Sequence, residues 1–171
     1  MNTLPFIIAI VSVALVVFFT AFFSIKKFLE NDRNKRLLDL KFESKKLVTP
    51  LRIQAYERLA LFLERIEPNQ LLLRLSNPEL TSEQLKTLMI TTIRAEYDHN
   101  LSQQIFVSSA VWNSLVQAKE EMVKRINLCA GQLNEEGMSL DLATLILQQV
   151  AAESPVEDAM ERLKEEVRLL F

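Results

Sequence analysis

Residues 4–25, LPFIIAIVSVALVVFFTAFFSI, decide the fold, because this run of 22 residues contains no charged side chain. As a helix rising about 1.5 Å per residue, it would span roughly 33 Å, close to the hydrocarbon thickness of a bilayer. A secretory signal peptide would carry a basic segment before a shorter apolar run and a small-residue cleavage site after it. Here no Lys or Arg precedes the run, and it ends in Phe22-Phe23-Ser24-Ile25. The sequence therefore predicts an uncleaved transmembrane anchor over residues 1–25.

The segment directly after this run is basic. Residues 26–46 contain eight Lys or Arg against four Asp or Glu, whereas residues 47–171 contain twelve against eighteen. Basic residues beside an apolar span contact anionic lipid headgroups and mark the cytoplasmic side of a membrane. We therefore expect residues 26–48 to form a juxtamembrane helix and the rest of the chain to be cytoplasmic. The candidate headgroup contacts are Lys26, Lys27, Arg33, Lys35 and Arg36.

Composition favours an all-α fold. The chain has only two glycines, Gly131 and Gly137, too few for hairpin-rich β folds or for glycine-rich phosphate loops. Cys129 is its single cysteine and His99 its single histidine, which excludes an internal disulfide and leaves too few ligands for a His/Cys zinc site. We expect no cofactor and no metal. Because the positive charge lies beside the apolar run, it indicates a lipid surface rather than a nucleic acid.

Helix signals after residue 48 predict a bundle. Thr49 and Pro50 have the residue types of an N-cap and a first helical position, so a new helix is expected from Pro50 to Ile66. Residues 68–80 form a connector, either a short helix or an extended piece. The sequence thus predicts a transmembrane helix continuing into a long helix, then a cytoplasmic bundle of about five helices over residues 49–171. The later helices are expected from Ser82 past Gln104, from Ser109 to Leu133, from Leu140 to Ala152, and from Pro155 to the C-terminus. Thr81 with Gln84 predicts a capping box at the first of these helices, Ser108-Ser109 a cap at the second, and Ser154 with Glu157 a capping box at the last.

Four polar residues fall where a core is expected. Arg52 lies at the centre of the apolar face of the Pro50 helix, and Glu96 and Asn100 lie beside the apolar row that includes Tyr97. A buried charge needs a partner, so we expect Arg52 to pair with Glu96, with Asn100 or Tyr97 completing the hydrogen bonds. Such a network could fix the helix register or bind a ligand or partner. Alternatively, Arg52 reaches solvent.

The remaining chemically notable residues favour structural roles. His99 lies away from the apolar row and is expected to be exposed, and no nucleophile or second base accompanies it. Cys129 lies on an apolar stripe and is expected to be a buried thiol. Trp112 is expected to anchor a core or an interface. The stripe of the last helix, which ends in Leu169-Leu170-Phe171, is expected either to associate with another copy or to close the bundle.

Two strings carry a family resemblance. Residues 52–58, RIQAYER, and residues 93–104, IRAEYDHNLSQQ, resemble those of an uncharacterised bacterial family of short single-span membrane proteins with a helical cytoplasmic domain. The resemblance extends over nearly the whole chain and implies no activity. It implies a bacterial plasma-membrane location.

These features predict a function without catalysis. No catalytic or cofactor-binding residue is assigned, and the expected function is a membrane-tethered helical adaptor or scaffold. Its expected partners are the lipid bilayer and either another protein or a second copy of the chain. One alternative is an accessory or regulatory subunit of a larger membrane complex. The other is a membrane-bound enzyme or ligand-binding domain that uses Arg52, Glu96 and His99.

Overall fold

The computed structural model describes residues 4–134, 137–150 and 154–170, without the side chains of residues 4–6, 8–10, 13 and 150. Its long regular elements are helices, which confirms the predicted all-α class. A short 3-10 helix, Leu101–Ile105, follows α3. The helices are α1 (Leu4–Ile66), α2 (Pro68–Leu75), α3 (Ser82–Asn100), α4 (Ser109–Ala130), α5 (Ser139–Val150) and α6 (Pro155–Leu170).

The predicted break at Thr49 and Pro50 is wrong, because α1 continues through both residues. Proline lacks an N–H, so Pro50 cannot donate a hydrogen bond to the carbonyl of Lys46. Lys46 is exposed, so water can hydrogen-bond that carbonyl. Apart from the β-branched Val48 and Thr49, the residues around Pro50 are mostly good helix formers, which favours a helix that continues despite the proline.

The chain divides into two compact units, Met1–Thr49 and Pro50–Phe171. In the first unit, the large apolar side chains described along α1 are exposed, from Ile7 to Val48. Within the described part of the chain, no helix combines the length and the apolar character needed to cross a membrane.

The second unit has one hydrophobic core. The end of α1 contributes Leu59, Phe62, Leu63 and Ile66, all at most 1% exposed, which agrees with its predicted apolar face. The other helices complete this core with the buried residues Leu71, Leu85, Met89, Ile93, Leu115, Met122, Ile126, Leu142, Ile146, Val156 and Leu163. Val156 and Leu163 of the α6 stripe are buried in this core, whereas Leu170 is 41% exposed. The helix therefore packs on the bundle, and its association with another copy stays a prediction.

Helix ends in the second unit follow local capping chemistry. The predicted capping box is confirmed, since Thr81 and Gln84 exchange side-chain to backbone hydrogen bonds at the start of α3. Ser108 caps α4 as predicted, its Oγ accepting from Val111 N at 3.2 Å. The connector after Pro68 is the helix α2. The α3 helix gives way to the 3-10 turn earlier than predicted, and α4 ends at Ala130 rather than Leu133.

The N-terminal cap predicted for α6, from Ser154 and Glu157, differs from the hydrogen bonds found there. Among the described residues, the Ser154 hydroxyl has no hydrogen-bond partner, and the Ser154 carbonyl accepts from Glu157 N at 3.2 Å. The predicted end of the preceding helix, at Ala152, lies outside the described residues.

Candidate functional site

Arg52 is the first of the predicted polar residues, and its guanidinium contacts one residue of its own helix and others distant in sequence. Its Nε donates to the carbonyl of Phe106 at 3.1 Å, and its Nη2 donates to the Tyr56 hydroxyl at 3.0 Å. The side chain is 32% exposed, so Arg52 is only partly withdrawn from water. It therefore lies at the edge of the core rather than at the centre of a buried face.

Glu166 on α6 is the acidic partner in this cluster. Its Oε1 lies 3.9 Å from Arg52 Nη2 and accepts from the Tyr56 hydroxyl at 2.8 Å. The backbone N–H of Ser108 donates to the same oxygen at 2.9 Å, and the Ser108 hydroxyl donates to Oε2. One carboxylate thus joins the second-unit part of α1, the start of α4 and the end of α6. We call Arg52, Tyr56, Ser108 and Glu166 the Glu166 cluster.

The protonation equilibria of this cluster reflect its partial burial. Burial by itself would raise the Glu166 pKa, but hydrogen bonds from Ser108 and Tyr56, together with the Arg52 charge, lower the net pKa below its ordinary value. Burial raises the pKa of Tyr56, and the neighbouring Glu166 raises it further. The charged carboxylate and the neutral phenol are both favoured, so the cluster is stable as a carboxylate bound by hydrogen-bond donors.

Glu96 belongs to a different group of charges. Arg65 Nη1 donates to both of its carboxylate oxygens at 3.1 Å, and Arg74 Nη1 lies 3.7 Å away. Arg74 also donates to the Arg65 carbonyl at 2.6 Å. An open cavity of about 660 Å³ beside them is lined by Glu64, Arg65, Glu67, Gln70 and Arg74. Its two acidic and two basic side chains do not select a ligand of either charge.

Asn100 and Tyr97 do not connect these two groups. The buried Asn100 amide donates to the Glu96 carbonyl at 2.8 Å, one turn back in the same helix. Tyr97 packs with Phe62 and Trp112, with ring centroids 6.1 and 5.6 Å apart, and the Lys119 ammonium lies 4.2 Å from its ring centre. Tyr97 is therefore part of an aromatic cluster with a cation–π contact.

The predicted pairing of Arg52 with Glu96 is wrong, because each has other partners. A helical wheel shows which residues share a face of one helix, but it cannot show which distant helix meets that face. Glu166 was missed because it lies 110 residues from Tyr56. The sequence feature that could have pointed to Glu166 was its position on α6, three residues after the buried Leu163 and therefore close to the apolar face of that helix.

The other singled-out residues have the predicted environments. His99 is exposed and Cys129 is fully buried, as expected. Burial raises the Cys129 pKa, which keeps the group a thiol. Trp112 is partly buried against the core through the aromatic cluster.

The chemistry available to the Glu166 cluster is limited by its own hydrogen bonds. The Tyr56 hydroxyl accepts from Arg52 and donates to Glu166, while the Ser108 hydroxyl donates to Glu166 and accepts from the start of α4. A nucleophile or general base needs a free lone pair directed at a substrate. Among the described residues, no group of three or more His, Cys, Asp or Glu side chains is placed to hold a metal ion.

The basic residues predicted to meet headgroups are on the first unit. Lys26, Lys27, Arg33, Lys35 and Arg36 are all exposed. Arg36 Nε donates to Asp32 Oδ2 at 2.9 Å, one turn back along α1. These charges are therefore accessible to a ligand or a surface.

Comparison with known proteins identifies the family of the chain but does not assign an activity to it. The chain belongs to the DUF7935 family, a family of unknown function, whose model matches residues 2–170. This agrees with the predicted membership of an uncharacterised family. No curated protein and no solved structure matches the chain.

Proposed function

We propose that this DUF7935 protein is a membrane-tethered helical adaptor. In this proposal, residues 4–25 cross the bilayer once, residues 26–48 lead away from it on the cytoplasmic side, and the second unit serves as a scaffold that binds a protein partner. The observation that carries the proposal is the apolar surface of α1 within its uncharged run.

That surface surrounds the helix. Leu15, Val16, Val17, Phe18 and Phe19 are consecutive and 52–63% exposed. Successive residues are about 100° apart on a helix, so these five cover its whole circumference. A helix that is apolar on all sides is stable in lipid or inside a protein core. No charged residue occurs in residues 4–25. This holds also for residues 4–6, 8–10 and 13, whose side chains are not described.

The flanking charges support the proposed orientation. The five candidate headgroup residues are exposed and directly follow the apolar run, whereas residues 1–3 before the run include no Lys or Arg. Under the positive-inside rule, this asymmetry favours a cytoplasmic C-terminal part. In a bacterium, the membrane would be the plasma membrane.

The polar clusters support a scaffold role. In the Glu166 cluster, and in the group formed by Glu96 with Arg65 and Arg74, acidic side chains bind basic or hydroxyl groups of the same unit. The three residues of the enzyme alternative are also separated: Arg52 binds near Glu166, Glu96 binds Arg65 and Arg74, and His99 is exposed. Internal networks of this kind fix helix packing and give a rigid surface to a partner.

A charge placed in the proposed span tests the anchor. Full-length protein carrying Val16→Arg and Phe19→Arg should leave the membrane pellet for the soluble fraction after alkaline extraction, because each central Arg costs about 2.5–3.5 kcal/mol. The matched control, Leu38→Arg with Phe42→Arg, alters two exposed apolar residues of α1 outside the proposed span. The control should stay in the pellet. Extraction of wild-type protein, or retention of both variants, would contradict the anchor.

A pull-down tests the adaptor role separately. Full-length tagged protein in mild detergent should retain a partner at fixed stoichiometry, with masses measured by native mass spectrometry. If the protein is a monomer without a partner but stays in the membrane pellet at alkaline pH, the adaptor role is contradicted and the anchor is still supported.

A further inference from the structure

The five candidate headgroup residues, from Lys26 to Arg36, surround α1. Successive residues on a helix are about 100° apart, so these five leave no gap wider than about 100° around the circumference. A helix lying flat on a membrane would instead carry its charges on one face and its apolar residues on the other. The distribution therefore fits a helix that leaves the bilayer with lipid headgroups on every side.

Depth separates these five residues into two groups. If α1 leaves the hydrocarbon at Ile25, Lys26 and Lys27 lie about 1.5–3 Å beyond it, inside a headgroup layer that is about 5–8 Å thick. The other three lie about 12–17 Å beyond Ile25, past this layer, where salt screens their charges. Direct contact with lipid phosphates is therefore assigned to Lys26 and Lys27, which we call the lysine pair.

The apolar neighbours of the lysine pair fit the same depth. Phe28 and Leu29 follow it directly and are 71% and 60% exposed. Phenylalanine and leucine beside lysines are typical of helices at the boundary between headgroups and acyl chains. Residues 26–29 therefore combine positive charge with exposed apolar surface, as a segment in the headgroup layer requires.

The charges of the lysine pair are available to a ligand. Within the described part of the chain neither lysine forms an ion pair, whereas Arg36 Nε lies 2.9 Å from Asp32 Oδ2. The nearest acidic residue along the sequence is Glu30, three residues after Lys27. An ammonium group is a compact charge that binds phosphate, and basic residues beside a span attract anionic lipids.

We propose that the lysine pair is a binding site that selects anionic phospholipids, of which phosphatidylglycerol is the probe, over phosphatidylethanolamine. The first lipid has a net negative charge, whereas the second carries an ammonium group beside its phosphate and is neutral overall. The inference rests on the proposed anchor, because the anchor fixes the depth of the two lysines. It goes further than orientation, since it names the class of lipid that stays bound to the protein.

Native mass spectrometry of lipid adducts tests the site. Full-length protein in mild detergent is mixed with equal amounts of the two lipids, which carry the same acyl chains and differ in mass. Lys26→Gln with Lys27→Gln removes both charges of the lysine pair. Lys45→Gln with Lys46→Gln is the matched control, because it removes two charges from another exposed pair on α1, about 30 Å beyond Ile25.

The expected result is a strong preference that depends on the lysine pair. A lysine at an anionic surface strengthens binding about fivefold, so two contribute on the order of 25-fold at low salt. The ratio of phosphatidylglycerol to phosphatidylethanolamine adducts should be at least about tenfold higher in the wild type and the control than in the lysine-pair variant. Equal binding of both lipids by the wild type, or an equal loss in the control, would overturn the proposal.

Glycerol 3-phosphate separates a lipid from a soluble phosphate ester, because it has the phosphate without the acyl chains. It should form no adducts at the concentration at which phosphatidylglycerol does. Adducts of glycerol 3-phosphate that disappear in the lysine-pair variant would assign the site to a soluble ligand and overturn the lipid.

Alkaline extraction of membranes with the same proteins separates this proposal from the proposed function. The lysine-pair variant should stay in the pellet, because the apolar run is unchanged. A wild-type protein that stays in the pellet without a lipid preference would defeat only the lipid site. A wild-type protein found in the soluble fraction would defeat the anchor and the lipid site with it.

Discussion

One helix, α1, shows two opposite uses of apolar residues. In the second unit its residues Leu59, Phe62 and Leu63 are at most 1% exposed, whereas in the first unit Leu40 and Leu47 are 61% and 74% exposed. The parts of α1 differ both in the number of apolar positions and in how these positions are distributed around the helix. Between Pro50 and Ile66 the buried apolar residues share one face that packs on other helices, although Leu51, Ile53 and Leu61 are exposed. Between Leu15 and Phe19 apolar residues surround the helix. A one-sided apolar pattern is typical of a helix packed on its neighbours, and an all-round apolar pattern is typical of a helix in a membrane or inside a core.

The largest change in stability is expected when the same substitution is made in both parts of α1. Leu63→Ala should lower the free energy of unfolding of the second unit by about 2–5 kcal/mol, because it opens a cavity in a packed core. Leu40→Ala should change it by less than about 0.5 kcal/mol, as an exposed position. Urea denaturation in detergent, followed by the fluorescence of Trp112, measures both. Equal losses would contradict the division between the two parts.

A second test removes the carboxylate of the Glu166 cluster. Glu166→Ala should cost about 2–3 kcal/mol, because Tyr56, Ser108 and Arg52 all lose a charged partner at a largely buried site. Glu165→Ala is the control, an adjacent exposed acid on α6. Denaturant unfolding gives both values, and a Glu166 variant as stable as the control would show that the cluster does not hold the helices together.

A third test concerns the continuity of α1 through Pro50. Pro50→Ala should restore the hydrogen bond to the Lys46 carbonyl and stabilise this turn by about 1–3 kcal/mol. The expected result is slower amide hydrogen exchange at residues 47–54. Faster exchange in the variant would instead support a helix that starts at Pro50, where proline is favourable.

The smallest expected effect is the pH dependence of the Glu166 cluster. The folded-state pKa of Glu166 is lowered, so its contribution is fully present above the unfolded value near 4.5 and is lost as the pH falls through the folded pKa. The stability difference between wild type and Glu166→Gln should therefore be constant near neutral pH and shrink below about pH 4.5. Unfolding curves from about pH 7 to about pH 3 measure this difference. A difference that grows on acidification would reverse the assigned direction of the pKa shift.

Local chemistry explains which parts of the fold could be predicted. The capping box of Thr81 and Gln84 and the cap at Ser108 involve residues three apart, so the sequence displays both partners together. The buried thiol of Cys129 followed from the apolar spacing of its own helix. The shortage of glycine and the abundance of helix formers predicted the all-α class.

The failures have equally specific causes. Pro50 was expected to start a helix because its residue type suits a first turn, but the flanking sequences hold the helix together on both sides. The Arg52–Glu96 pairing failed because the choice between Glu96 and Glu166 depends on how α3 and α6 pack against α1. That packing is set by the whole core, and no pattern within one helix encodes it.

Protease protection in spheroplasts tests whether the chain has a single membrane anchor and a folded unit in the cytoplasm. With a C-terminal tag on full-length protein, the account predicts that protease added outside leaves the tag intact. After the membrane is opened, the same protease should remove the exposed part of α1 and leave a resistant tagged fragment that begins near residue 50. Loss of the tag in intact spheroplasts, or recovery of the whole chain in the soluble fraction, would contradict the account.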